Sequence, residues 1–380
     1  MKRIYMAPME GVTTYVYRNV YNKYFKGVDR YFTPFVASSK LKGREKSEVS
    51  RDTNKCENLI PQVLTNNVNT FCLIVNQLKN MGYDEVNINL GCPSKTVTVK
   101  GRGAGMLSDT YALEKFLDEV FEKTDLKISI KTRLGISSMN EWEDILKVYQ
   151  KFPLSELIVH ARLLDELYGG SAHIDAFKLA QDMMEVPLCF NGDVRDVKSF
   201  EKVLDECVGD ELGDNSVEDT LGCSEGSNVN GKKKTNNFNA VMLGRGFIGN
   251  PWLAEEIKGS FLNYDDRLDN KFRVGGKLDD YENLDSSNDS SELTISKRLK
   301  IFRDFHDDLL SEYIKVMPGE TPVLFKMKEL WAYWLFEGEE ISKNLPGINE
   351  VFNGDLKKVI KEIRKADSVA KYRSVVGMLF

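Results

Sequence analysis

The chain has 380 residues, 42% hydrophobic and 29% charged, a balance that fits an ordinary globular protein and excludes a disordered or fibrous one. Its formal charge of −6 excludes a broadly basic surface. The acid is uneven, however: residues 209–238 carry six acidic and three basic side chains, residues 262–292 carry nine and four, and the rest of the chain is left at +2, so a polyanionic partner stays open.

No apolar run reaches the roughly 20 residues of a membrane span, and the N-terminal Met-Lys-Arg-Ile-Tyr-Met-Ala-Pro enters a strand with no signal-peptide core. The six cysteines (56, 72, 92, 189, 207, 223) form no Cys-x-x-Cys pair and no zinc spacing with the three histidines, so neither metal nor membrane is expected. A cytoplasmic protein with reduced thiols, acting as a monomer, is the default.

Apolar runs predict strands at Arg3–Met9, Tyr31–Ser38, Leu59–Leu64, Glu85–Leu90, Lys127–Thr132, Glu156–His160, Pro187–Asn191 and Ala240–Leu243. Amphipathic stretches between them predict helices at Thr70–Met81, Ala112–Lys123, Asn140–Lys151, Ile174–Met184 and Val197–Glu206. Eight strands alternating with helices over about 250 residues match an α/β fold of the (β/α)8 TIM-barrel type. A doubly wound sheet has a similar rhythm, but no Gly-x-Gly-x-x-Gly follows the first strand.

Residues 209–238 read as an acidic, low-complexity insertion before strand eight, and 261–293 as an acidic flexible linker. Beyond it, Ser296–Tyr313, Pro322–Phe336, Ile341–Leu345, Asn353–Ala366 and Val369–Leu379 predict a small all-α bundle. The expected organisation is thus a barrel domain over 1–260 and a helical domain over 294–380.

Polar residues recur at the C-terminal ends of the strands: Pro8-Met9-Glu10, Gln62, Asn89 with Cys92, Lys131 and Arg133, His160 and Arg162, Asn191-Gly192-Asp193, and Gly244-Arg245-Gly246. In a (β/α)8 barrel these ends converge on the mouth that carries active sites. A free cysteine is more often a small core residue, but Cys92 follows a strand in a Gly/Pro turn, where a ligand could reach it. The endings of strands seven and eight suit phosphate, with glycines letting the backbone approach and Arg245 adding a fixed charge; two tight turns would also favour glycine. Lys131 would suit an anionic ring, and His160 could donate to a ring or phosphate oxygen.

The ordered motifs Ala7-Pro8-Met9-Glu10-Gly11-Val12-Thr13, the Gln62 strand, Asn89-Leu90-Gly91-Cys92-Pro93-Ser94, Lys131-Thr132-Arg133-Leu134-Gly135, Val159-His160-Ala161-Arg162, Asn191-Gly192-Asp193 and Gly244-Arg245-Gly246 resemble the tRNA-dihydrouridine synthases. The likeness runs from residue 5 to about 256, and Ser94-Lys95-Thr96-Val97 is most similar to the bacterial C-type branch. It implies FMN as cofactor, NADPH or NADH as reductant and tRNA as partner, with hydride passing to uracil C6 and a proton from Cys92 to C5. It places Pro8, Met9 and Glu10 along the flavin ring, and Gln62, Lys131 and His160 on the ring or ribityl chain. It places Asn191, Gly192, Asp193, Gly244 and Arg245 at the phosphate, and Asn89 and Arg162 at the uracil, with Lys95 and Tyr168 as further substrate contacts.

Three features depart from the resemblance: Leu163-Leu164-Asp165 after Arg162, Thr14 where Asp is common, and the two acidic segments. Two alternatives remain: an FMN barrel acting on a free pyrimidine, as in dihydroorotate-dehydrogenase-like proteins, and an inactive RNA-binding barrel. Lys357, Lys358, Lys361, Arg364 and Lys365 recur at helical spacing and could form a cationic stripe towards RNA phosphates or simply a solvated face. Lys326 and Lys328 lie near Trp331 and Trp334, which read as bundle core.

Overall fold

Residues 2–208, 237–260, 288–337 and 339–380 are described by a computed structural model. Nearly all of the acidic insertion and most of the acidic linker therefore lie outside the described residues.

Among the described residues nine short strands run parallel: β1 (Arg3–Met6), β2 (Arg30–Phe32), β3 (Leu59–Ile60), β4 (Gln62–Val63), β5 (Glu85–Leu90), β6 (Lys127–Thr132), β7 (Glu156–His160), β8 (Leu188–Asn191) and β9 (Phe238–Leu243). They are ordered β3-β2-β1-β9-β8-β7-β6-β5-β4. β3 and β4 are the two halves of one stave, separated only by Pro61, whose missing N–H interrupts the ladder. Because β3 pairs with β2 and β4 with β5, the sheet closes and the fold is the expected eight-stave barrel. The strands are buried almost throughout, as parallel strands covered by helices must be.

The strand boundaries hold closely from β5 to β9 and less well at the start. β1 ends at Met6 rather than Met9, although the Ala7 N–H still donates to Leu243 O at 2.9 Å. β2 ends at Phe32, after which only Val36 rejoins the sheet through a bridge to Val63, so residues 33–38 are mostly a mouth loop. Helices at Tyr15–Tyr24 and Gly43–Val49 fill the first two crossovers and carry no marked signal in the sequence.

After the barrel, helices at Asn288–Val316, Glu320–Phe336, Glu339–Asn344, Pro346–Glu350, Leu356–Lys365 and Val369–Gly377 form the bundle. The first starts at Asn288, inside the expected linker, because its opening turns are polar and read as loop. Trp331 and Trp334 are fully buried, as expected of core residues. Around them His306 Nε2 and the Tyr372 hydroxyl lie 2.7 Å apart, and Trp331 Nε1–H donates to the same hydroxyl at 2.7 Å.

The bundle packs on the crossover helix Tyr15–Tyr24. Phe305 meets the rings of Tyr17, Tyr24 and Phe25 on the barrel side at 5.9, 6.0 and 4.9 Å, and Trp334 on its own side at 6.2 Å. One apolar cluster therefore runs without a break from barrel to bundle. No helix among the described residues is long and apolar enough to cross a membrane.

Candidate active site

β1 and β5–β9, with the loops that follow them, end on one cavity of about 400 Å³ at the C-terminal mouth, within the size range of small-molecule and cofactor pockets. It gathers Pro8, Met9 and Glu10 after β1, Asn89 and Cys92 after β5, Lys131 and Arg133 from β6, and His160, Arg162 and Tyr168 from β7 and its loop. Asn191, Gly192 and Asp193 after β8 and Gly244 and Arg245 after β9 complete the wall. Of the residues singled out in the sequence, only Gln62 and Lys95 do not line it: Gln62 is buried behind Asn89, and Lys95 is exposed on a short helix, Lys95–Thr98.

The Cys92 turn is built by side chains that fix its backbone. Asn89 Oδ1 accepts the N–H of Gly91 at 3.1 Å and of Cys92 at 2.9 Å, while Asn89 Nδ2–H donates to Gln62 Oε1 at 2.7 Å. Gln62 Nε2–H in turn donates to Asn87 Oδ1 at 2.8 Å. Gly103, at φ +56°, lies under the turn, where a Cβ would sit 2.9 Å from Cys92 O. Burial pushes the Cys92 thiol up and Glu10 adds to this, while the Ser94 amide, Lys131 and Arg133 oppose it; the net direction is up, so the group is a thiol at neutral pH.

The side chains of Lys131 and His160 have no hydrogen-bond partner among the described residues, although both residues line the cavity. Burial and then the Arg133 charge push the Lys131 ammonium down to about 8. Burial, with Lys131, Arg133, Arg162 and Arg245 around it, holds the His160 imidazole well below its usual range, so it is neutral. A cavity with this surplus of unsatisfied donors and positive charge suits a ligand rich in acceptor oxygens and negative charge.

Arg162 is fully buried and two of its three nitrogens are engaged: Nε–H donates to Gly169 O at 2.9 Å, and Nη2 to Gly170 O at 2.8 Å and to Asp193, while Nη1 has no hydrogen-bond partner among the described residues. The Asp193 carboxylate also accepts the Ala172 N–H at 3.0 Å, so what Asp193 has left for a phosphate is its backbone amide. Gly192 is required by packing, since a Cβ there would lie 2.6 Å from the Phe190 ring.

Sequence reasoning left Arg133, Arg195, Glu329 and Tyr333 without a role, yet all four line the cavity. Arg133 is buried and donates to Gly91 O at 3.1 Å, Leu163 O at 2.8 Å and Leu167 O at 2.7 Å, tying the Cys92 turn to the β7 loop. In that loop Leu167 takes φ +53°, an uncommon conformation for a branched residue. The next residue, Tyr168, is half exposed between the Arg133 and Arg245 guanidinium groups, 5.5 and 5.3 Å from its ring.

Glu329 and Tyr333 come from the bundle. With Lys326 and Glu337 they recur at i, i+3, i+7 and i+11, one polar face of the helix Glu320–Phe336 and its C-cap. That periodicity was the available signal, masked by the apolar remainder of the helix. The helix spans the mouth, with Lys326 Nζ 3.2 Å from where a Gly11 Cβ would be and Glu337 beside Arg195 and Arg245. Lys328 faces elsewhere, donating to Arg364 O at 2.9 Å and Ala366 O at 2.5 Å, where it caps the helix Leu356–Lys365.

Residues 5–212 match the family described as dihydrouridine synthase. The tRNA-dihydrouridine synthase B of Pasteurella multocida (strain Pm70) is 23% identical over 263 residues, which is 66% of this chain and 67% of the relative. The tRNA-dihydrouridine(16) synthase of Cupriavidus necator is 26% identical over 269 residues, 68% of this chain and 74% of the relative. Relatives under both names match at similar identity, which supports the family firmly and the C-type branch only weakly. Among solved structures, morphinone reductase aligns over 68% of this chain and 86% of its own at 12% identity, with a TM-score of 0.42.

Proposed function

The chain belongs to the dihydrouridine synthase family of flavin-dependent oxidoreductases, and we propose that it reduces a uridine in tRNA to 5,6-dihydrouridine, with FMN as cofactor and NADPH or NADH as reductant. The observation that carries this reading is the Cys92 thiol, protonated at neutral pH, sharing one cavity with two basic groups that have no protein hydrogen bond, Lys131 and His160.

The donor set fits FMN. Pro8, Met9 and Glu10 would line the ring, Lys131 and His160 would donate to ring or ribityl oxygens, and Gln62 would act through Asn89 and Asn87. The amides of Gly192 and Asp193, the Gly244 backbone and the side chain of Arg245 would hold the phosphate. When bound, FMN supplies the hydride that reaches C6 of the uracil.

The remaining chemistry belongs to the chain. As the C5=C6 double bond is lost, Cys92 gives its proton to C5, and the thiolate left behind recovers a proton from solvent. Asn89 Oδ1 is already occupied by two backbone amides, but Nδ2 keeps one N–H for a uracil oxygen. Arg162 would keep Nη1 for the substrate, while its other two nitrogens hold the β7 loop that presents Tyr168. Lys95, exposed beyond the turn, would meet the backbone of the RNA rather than the base.

A uracil stacked in folded tRNA must be flipped to reach this cavity. The exposed face of the helix Leu356–Lys365, with Lys357, Lys358, Lys361, Arg364 and Lys365 beside the half-exposed Phe336, supports phosphate contacts made by the bundle. The direct test is a dihydrouridine map of tRNA from cells lacking this chain. The expected map loses dihydrouridine at a defined position and regains it on complementation; an unchanged map would contradict the reading.

A further inference from the structure

Arg195 belongs to none of the strand-end motifs, yet its side chain lines the cavity beside Arg245, and its backbone is locked against the Gly244–Gly246 turn. A Cβ on Gly246 would lie 2.6 Å from Arg195 Cα, so the β8 and β9 loops are packed as one unit carrying two guanidinium groups. Between them stands one carboxylate from the bundle. Glu337 Oε2 is 3.0 Å from Arg195, and Glu337 Oε1 is 3.8 Å from Arg245.

These contacts are poor ones. Glu337 Oε2 is buried with no hydrogen-bond partner, so its approach to Arg195 lacks hydrogen-bond geometry. Arg245 reaches its two carboxylates, Asp193 and Glu337, only at 3.7 and 3.8 Å, beyond hydrogen-bonding distance. The two guanidinium forks thus share Glu337, which satisfies neither, and Arg245 gains only a distant second carboxylate, Asp193, that is already bonded to Arg162, whereas a phosphate offers three oxygens and about twice the charge.

We propose that Arg195 is a further binding residue for the phosphate group of the ligand in this cavity, and that Glu337 is the counter-ion released when that phosphate enters. This rests on the flavin reading above and adds residues outside the family's motifs. It also makes one residue of the bundle part of the cofactor site. Phosphate binding weakens the Glu337 contact, and by linkage the Glu337 contact weakens phosphate binding by the same factor.

Full-length protein freed of flavin is titrated with FMN and with riboflavin, which shares the ring and ribityl chain but lacks the phosphate; affinity is read from quenching of flavin fluorescence. Arg195→Ala should weaken FMN about tenfold and riboflavin less than about twofold. Glu337→Gln, isosteric but neutral, should tighten FMN about fivefold and leave riboflavin unchanged, and most of that gain should vanish in the Arg195→Ala background. Equal effects on both flavins, or FMN weakened by Glu337→Gln, would overturn the proposal, the latter by showing Glu337 to be a support. Wild-type protein that binds neither flavin would instead overturn the flavin reading itself.

Discussion

Lys131 stands in the cavity wall with Arg133 just past the end of its strand, and its ammonium is held down to about 8 from the usual 10.5, first by burial and then by that charge. In the ligand-free protein the folded state releases this proton near pH 8 while an unfolded lysine keeps it to 10.5. Across that window the unfolded chain binds the extra proton, so this group's contribution to stability rises with pH. Flavin affinity follows the opposite course, because the charged form is the stronger donor. Affinity measured between pH 6.5 and 9.5 should fall above about 8, and Lys131→Met should bind more weakly and lose the step. A pH-independent wild-type affinity would remove Lys131 from the cofactor contacts. Gln62 acts one step further back: Gln62→Leu leaves Asn89 Nδ2 and Asn87 Oδ1 buried without partners, a cost of about 1–3 kcal/mol visible in the denaturant midpoint.

At the scale of elements, the turn after β5 depends on the short 3-10 helix Gly103–Ser108 that closes over it. Gly103 combines φ +56° with an approach that leaves no room for a Cβ beside Cys92, and Ala104 N–H donates to Cys92 O at 3.1 Å. Gly103→Ala should therefore shift the thiol: flavin binding persists and the rate of uridine reduction falls at least about tenfold, a 1 Å misplacement being enough. Equal losses of binding and rate would mean the loop supports the whole cavity. The strands that hold the chemistry were legible because parallel staves read as continuous apolar runs ending in polar residues, as Glu85–Leu90 followed by Cys92 illustrates. The split at Pro61 and the early end of β2 were harder to read, because a stave needs register with both neighbours and neighbours are not written in local sequence. The bundle face carrying Glu329 and Tyr333 was missed because Trp331 and Trp334 dominate the pattern of that helix, and only docking against the mouth gives its polar stripe a role.

For the whole molecule, barrel and bundle share one apolar cluster, with Phe305 wedged among barrel aromatics and Trp334. The division into a catalytic barrel and a tRNA-binding helical domain is thus a proposal about function more than about folding. Phe305→Ala should destabilise the protein by about 3–5 kcal/mol and move a single calorimetric transition, without splitting it in two. Two separated transitions in the wild type would show independent domains. The strand-end motifs converge on one cavity, but the acidic segments over 209–238 and 261–293 carry the charge that sets the chain's average and lie mostly outside the described residues.

Whether Cys92 is the proton donor beside a flavin is tested by one paired measurement on Cys92→Ala with FMN, NADPH and tRNA lacking dihydrouridine. A proton-donating Cys92 gives a variant with wild-type-like flavin content and flavin reduction by NADPH, and with dihydrouridine formation reduced at least about a hundredfold. Dihydrouridine formed at the wild-type rate by that variant would contradict it.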